Sequence, residues 1–296
     1  MYSDVRVVAE GFSFLEGPRW HDGMLYVSDF YTHRVLAFDE SGAGRTVCTV
    51  AQQPSGLGWL PDGSLLVVSM LDRRLLRFDG ARLAEFADLS GLAPWHCNDM
   101  VVDRSGRAYV GNFGFDDGRQ IPMVPTDLIC VEPDGTARAA ASDLLFPNGI
   151  VINPEGNRMM VAETFAGRIS AYTLSPDGSL SNRTTWASFT DRPESTLDAA
   201  VRSGVPLPDG MALDADGALW IGDAAGSGAL RVREGGEVIE SVPTGELAVY
   251  AVALGGSDRR TLYLCAAPPL PRGRPKSELR AVLLSCRVET PGVGLP

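Results

Sequence analysis

Five residues of this chain carry side-chain oxygens at one recurring address. Glu16 stands seven residues before Gly23, while Ser55, Asn98, Asn148 and Asp209 each stand eight before Gly63, Gly106, Gly156 and Gly217. Glu16, Asn98, Asn148 and Asp209 end in carboxylate or amide oxygens, an all-oxygen set that suits Ca²⁺ or Mg²⁺ better than zinc. The two carboxylates would balance one divalent cation, with water or substrate in the remaining positions. One Asp or Asn near a turn commonly does no more than bond nearby backbone. Four buried in register must find partners, in a cation or a water cluster, and a cation is the favoured reading. Ser55 is too short to reach a shared centre and is expected to line the substrate space.

The elements that must gather these residues are hairpins. Gly17–Phe30, Gly56–Met70, Asp99–Phe113, Gly149–Glu163 and Gly210–Ala224 each join two apolar runs through a tight turn ending in Gly. Val249–Ala267 has the same shape with a degenerate turn, and its slot, Ala251 or Val252, supplies no ligand. After most hairpins comes a third strand with its own turn, such as RVLAFDESG, and then a fourth, such as RTVCTVA or TTWASF. Four strands in a unit of about 40 residues mark a propeller blade. The expected fold is all-β, a six-bladed β-propeller with four-stranded blades forming one domain over 1–296. Its first strands line a central channel, so equivalent positions converge at one depth. The N-terminal SDVRVVAEG is expected to complete the last blade and close the ring.

Slot intervals of 39, 43, 50 and 61 residues place the excess length in two inserts, 113–126 and 191–208. Long inserts in repeat folds gather on one face and shape a binding site. The Pro-rich, basic 268–278 segment reads as a loop between strands of the sixth repeat.

A net charge of −11 with no run of Lys and Arg excludes an electrostatic hold on nucleic acid. Glycine at 33 residues and proline at 20 favour turns over long helices, and 45% hydrophobic content is enough for a large core. Five widely spaced cysteines form no zinc pattern and read as reduced thiols. With neither a secretory start nor a membrane-spanning run, the expectation is a cytoplasmic protein without a membrane partner.

Glu16-Gly17-Pro18-Arg19-Trp20, Asn98-Asp99, Phe146-Pro147-Asn148-Gly149 and Pro208-Asp209-Gly210 together resemble the senescence marker protein (regucalcin), gluconolactonase and luciferin-regenerating enzyme family across nearly the whole chain. The resemblance implies Glu16, Asn148 and Asp209 as metal ligands, with Asn98 joining the metal and contacting substrate. The same four positions are similar to the calcium ligands of the diisopropylfluorophosphatase type of propeller. It also implies one divalent cation, calcium first with Mn, Mg or Zn as alternatives, and a small lactone or ester substrate.

The expected activity is a metal-dependent hydrolase, foremost a lactonase. A phosphotriesterase or aryl esterase on the same metal, or a non-enzymatic calcium-binding propeller, are the alternatives. Water attacking a polarised carbonyl needs a base; Asp209 is the first candidate and Asp99, beside Asn98, the second. Family members often carry Arg two residues before the third-repeat Asn, where this chain has His96. His96 is expected at the channel mouth, as a substrate contact or a structural histidine, and the change leaves room for a less polar substrate. His21 reads as a turn residue and His33 as a loop residue. Asp29, Glu163 and Asp223, which close the second strands of their hairpins, read as surface or blade-to-blade hydrogen-bonding residues.

Overall fold

A computed structural model describes residues 4–116, 122–269 and 278–294. Six four-stranded antiparallel sheets account for its strands, and each sheet is one blade of a six-bladed β-propeller. The inner strands are Leu15–His21, Pro54–Trp59, Cys97–Val102, Pro147–Ile152, Pro208–Leu213 and Ala248–Gly255, in blades one to six. Five blades run in chain order from inner to outer strand. The sixth ends on the N-terminal strand Arg6–Phe12, which pairs antiparallel with Ala281–Arg287, as expected from the sequence.

The hairpin turns form where only a short, left-handed step can join the strands. Gly106 sits at φ +86° and donates to Asp103 O, while Asp103 Oδ1 accepts from the Ser105 and Arg107 N–H groups. Apolar side chains on the strands then pack between neighbouring sheets. Six buried clusters fill the six junctions; Leu66, Val68, Met100, Val110 and Ile129 fill that between blades two and three.

A seventh cluster lies outside this ring of cores and joins the two inserts. Phe115, Phe146, Phe165, Ala200 and Leu207 form its centre, with Phe113, Met123 and Leu197 against it. Met123 N–H donates to Ser195 O, so the inserts meet through backbone as well. The second insert contains a short helix, Leu197–Arg202, capped by Thr196. Most of the Pro-rich 268–278 segment lies outside the described residues. Among the described residues, no helix is long and apolar enough to cross a membrane.

Around the axis the inner strands approach closely. A Cβ at Gly56 would lie 2.4 Å from Met100 N, and one at Gly149 would lie 2.4 Å from Asp209 O. Following these contacts around the ring, Gly17, Gly56, Asp99, Gly149, Gly210 and Ala251 occupy equivalent positions. Asp99 is the one long side chain among them.

Candidate metal centre and channel

Every inner strand carries a bulge at or beside its slot residue, between Glu16 and Arg19, Pro54 and Leu57, Cys97 and Met100, Pro147 and Ile150, Pro208 and Met211, and Val249 and Ala251. A bulge breaks the alternation of a strand and re-aims one side chain. The sixth slot is therefore Tyr250, the residue enclosed by its bulge, rather than Ala251 or Val252. Tyr250 packs against Phe14 with ring centroids 4.6 Å apart.

Glu16, Ser55, Asn98, Asn148 and Asp209 are all buried, at 1–6% exposure. Ser55 Oγ lies 3.5 Å from Asn98 Oδ1, and Asn148 Nδ2 donates to Thr164 Oγ1 at 3.2 Å. The second contact commits the amide nitrogen of Asn148 and leaves its oxygen as the end that could ligate a cation. Glu16 Oε2 accepts from the Gly17 N–H at 3.1 Å. Asp209 Oδ1 is buried without a hydrogen-bond partner.

Electrostatics tie the carboxylates together. Burial, and then the neighbouring Asp209 and Asp99, push the Glu16 carboxyl well above its ordinary range, against the Gly17 N–H and Arg19. Burial and then Asp99 do the same to Asp209, with the Gly210 N–H opposing. Glu16, raised by burial and then by Asp209, and Asp209 itself, with its orphaned oxygen, are chemically suited to a hard cation. Among the described residues, no three His, Cys, Asp or Glu side chains form a metal cage. A cation at the slot would depend on amide oxygens as well.

Asp99, the second candidate base, is already engaged. Its Oδ1 accepts from Arg19 Nη2 at 2.7 Å and from the Met100 N–H at 2.8 Å. Arg19 was not singled out by the slot spacing, yet a buried arginine in an inner strand, and an aspartate at a glycine position, are both visible signals.

His96 lies just before its strand, half-buried, with its ring against Trp95 at 4.6 Å and Phe113 at 5.7 Å. Phe113 in turn contacts Phe146 at 4.5 Å, which links His96 to the cluster between the inserts. His21 is the last residue of its inner strand, not a turn residue, and stacks on Trp59 at 4.0 Å. His33 Nδ1 lies 3.2 Å from Val50 O.

Asp29, Glu163 and Asp223 are buried, so the surface reading of these residues is replaced by the hydrogen-bonding one. Asp29 receives the Ser13 and Phe14 N–H groups, Glu163 that of Leu145, and Asp223 those of Leu207 and Ala225. Each thereby holds the chain entering its own blade just ahead of the slot. Asn112 stands at the same place in blade three but accepts from Gly114 N–H and Thr126 Oγ1, and so holds the two ends of the first insert instead.

The SMP-30/Gluconolactonase/LRE-like region model matches residues 14–268. The chain belongs to this family. Among similar SMP-30/gluconolactonase relatives, a pentonolactonase of Haloferax volcanii is 28% identical over 88% of this chain and 84% of its own. A 6-deoxy-6-sulfogluconolactonase of Pseudomonas putida is 24% identical over 95% of this chain and 93% of its own. The family fold recurs in a luciferin-regenerating enzyme, with TM-score 0.81 and 19% identity over 99% of this chain and 98% of that one. It recurs too in a calcium-binding protein, regucalcin, from Agrobacterium tumefaciens, with TM-score 0.80 and 19% identity over 99% and 96% of the two chains.

Proposed function

We infer that this protein is a lactonase that works with one divalent cation, calcium first, held by Glu16, Asn98, Asn148 and Asp209. The observation carrying this reading is the buried, partnerless Asp209 Oδ1 beside a second buried carboxylate. The lactonase names of the two sequence relatives support the substrate class. When bound, the cation polarises the lactone carbonyl and stabilises the negative charge that develops there as water adds.

The residues of the chain supply the rest. Asp209 takes the proton from the attacking water, because Asp99, the other candidate, is tied to Arg19 and the Met100 N–H. Thr164 fixes the orientation of Asn148, and Asn98 orients the substrate beside Ser55. His96, among Trp95 and Phe113, borders the substrate on the insert side. The five free cysteines support a reducing, cytoplasmic setting, and we take the six blades as one domain over 1–296.

The test is a substrate panel of lactones, aryl esters and phosphotriesters, assayed with Ca²⁺, Mn²⁺, Mg²⁺ and Zn²⁺ added in turn to stripped protein. Lactones are expected to turn over fastest. Preference for phosphotriesters or aryl esters would reassign the reaction, and no turnover with any ion would leave a binding propeller.

A further inference from the structure

The layer of the channel just outside the slot is apolar to a degree that opening a lactone ring does not by itself require. Two residues ahead of the slot residues stand Phe14, Gln53, His96, Phe146 and Leu207. Their carbonyls accept, at 2.9–3.3 Å, from the N–H groups of Phe30, Met70, Phe113, Thr164 and Ala224, which directly follow the second strands of the same blades. These ten positions form one layer around the axis, and Thr164 ties it to the slot through Asn148. None of the ten is Asp, Glu, Lys or Arg, and seven are apolar. Gln53 Nε2 already donates to Met70 Sδ at 2.7 Å, and Thr164 Oγ1 already accepts from Asn148.

This layer is continuous across the channel. The cluster at the junction of blades six and one includes Phe14, Phe30 and Tyr250, and it also takes in Met70 of blade two. Against it pack Tyr31, Leu71, Phe113 and Ala224, from blades one, two, three and five. Side chains of so many blades can meet only at the axis. The last four are half-buried, and so form an apolar collar with surface left to cover. Phe113 and Ala224 also pack on the cluster between the inserts, which continues the apolar wall outward.

A collar of this kind discriminates by what it cannot bond. A hydroxyl pressed against Phe113 or Leu71 gives up its water and finds neither donor nor acceptor in those side chains. A polyhydroxylated lactone would meet that penalty at several carbons. Each methylene placed there instead gains about fourfold in affinity by leaving water.

We propose that the lactone opened here carries an alkyl chain on its ring, held by the collar of Tyr31, Leu71, Phe113 and Ala224 while the ring carbonyl faces the slot. This inference rests on the lactonase reading proposed above and names its substrate class, alkyl-substituted lactones in preference to hydroxylated ones. Phe113 is the specificity-determining residue. Its ring lies against His96 and Phe146 within the layer, and it packs on both clusters.

The experiment measures kcat/KM of the calcium-loaded, full-length protein on γ-butyrolactone, on its γ-alkyl series from methyl to hexyl, and on hydroxylated γ-lactones of equal carbon number. Along the alkyl series the values are expected to rise about fourfold per methylene until the collar is covered. They are expected to exceed those of the hydroxylated lactones by about tenfold or more. Phe113→Ala is expected to lower the ratio of hexyl to unsubstituted kcat/KM by about tenfold. Should that variant not fold, Leu71→Ala carries the comparison, with a loss of about fivefold in the same ratio. Calorimetry with the matching 3-alkylcyclopentanones, in which a methylene replaces the ring oxygen and no ester can break, is expected to show the same slope without turnover. A preference for hydroxylated lactones, with no gain along either alkyl series, would overturn the inference and leave the lactonase reading standing. Cyclopentanone binding that climbs with chain length in a protein that opens no lactone would instead overturn the lactonase reading, and the substrate named here with it.

Discussion

The amide nitrogen of Asn148 donates to Thr164 Oγ1 at 3.2 Å, within the blade whose loop side meets both inserts. A ligand amide held at its nitrogen presents its oxygen without a search among rotamers, which is how outer partners strengthen a metal site. Thr164→Val removes the acceptor and leaves a buried N–H group unpaired. Calcium affinity is expected to fall by about tenfold to a hundredfold. Calorimetry checks this, with thermal unfolding confirming that the fold persists.

Glu16→Gln separates the two roles of a buried carboxylate. The apo protein is expected to become more stable at neutral pH, because a buried carboxylate, disfavoured first by burial and then by Asp209 and Asp99, is replaced by a neutral amide. The variant is expected to lose the stabilisation by calcium that the wild type gains, about 2.7 kcal/mol at a hundredfold excess over Kd. Unfolding with and without calcium measures both. A calcium shift as large as that of the wild type would remove Glu16 from the ligand set.

Glu16 and Asp209 also set a pH dependence. Their folded values are raised above the unfolded ones, so the apo native state binds the extra protons. Their contribution to apo stability is then fully present in acid and declines as pH rises from the ordinary carboxylate range through the raised values. Calcium needs the ionised forms, so its affinity rises over the same window. Titrations across that range, paired with denaturation of the stripped protein, should show opposite slopes.

Glu163 is predicted to behave in the reverse sense. Burial alone would raise its carboxyl, but hydrogen bonds from Arg168, Ser170 and the Leu145 N–H overcome this and hold it below its ordinary value. Its contribution is present above the unfolded value and is lost as pH falls through the folded one. Arg183 also pairs with Glu163 and reaches Ser142 O and Asp143 O in the preceding blade. Glu163→Gln should cost about 2 kcal/mol, less than a fully buried pair because both arginines are about a third exposed. Urea unfolding at neutral pH measures it.

The blades were legible because each hairpin repeats apolar runs around a glycine turn, and that periodicity is a local property of the chain. The slot residues were legible by the same count, since five turns keep a nearly constant distance to the bulge. Tyr250 escaped because its turn is degenerate and its bulge falls one residue earlier in the ladder, so counting from Gly256 misses it. Arg19 and Asp99 lie 80 residues apart, and their pairing depends on strands two blades apart meeting at the axis. The meeting of the inserts through Phe113, Phe146 and Leu207 is equally non-local.

The most direct measurement is lactone hydrolysis by protein stripped of divalent ions and then titrated with Ca²⁺, in the wild type and in Asp209→Asn. We predict that stripping abolishes turnover, that one equivalent of Ca²⁺ restores it in the wild type, and that Asp209→Asn is not restored. Undiminished hydrolysis by the stripped wild type, or full recovery of Asp209→Asn, would contradict a cation-dependent reaction centred on the slot.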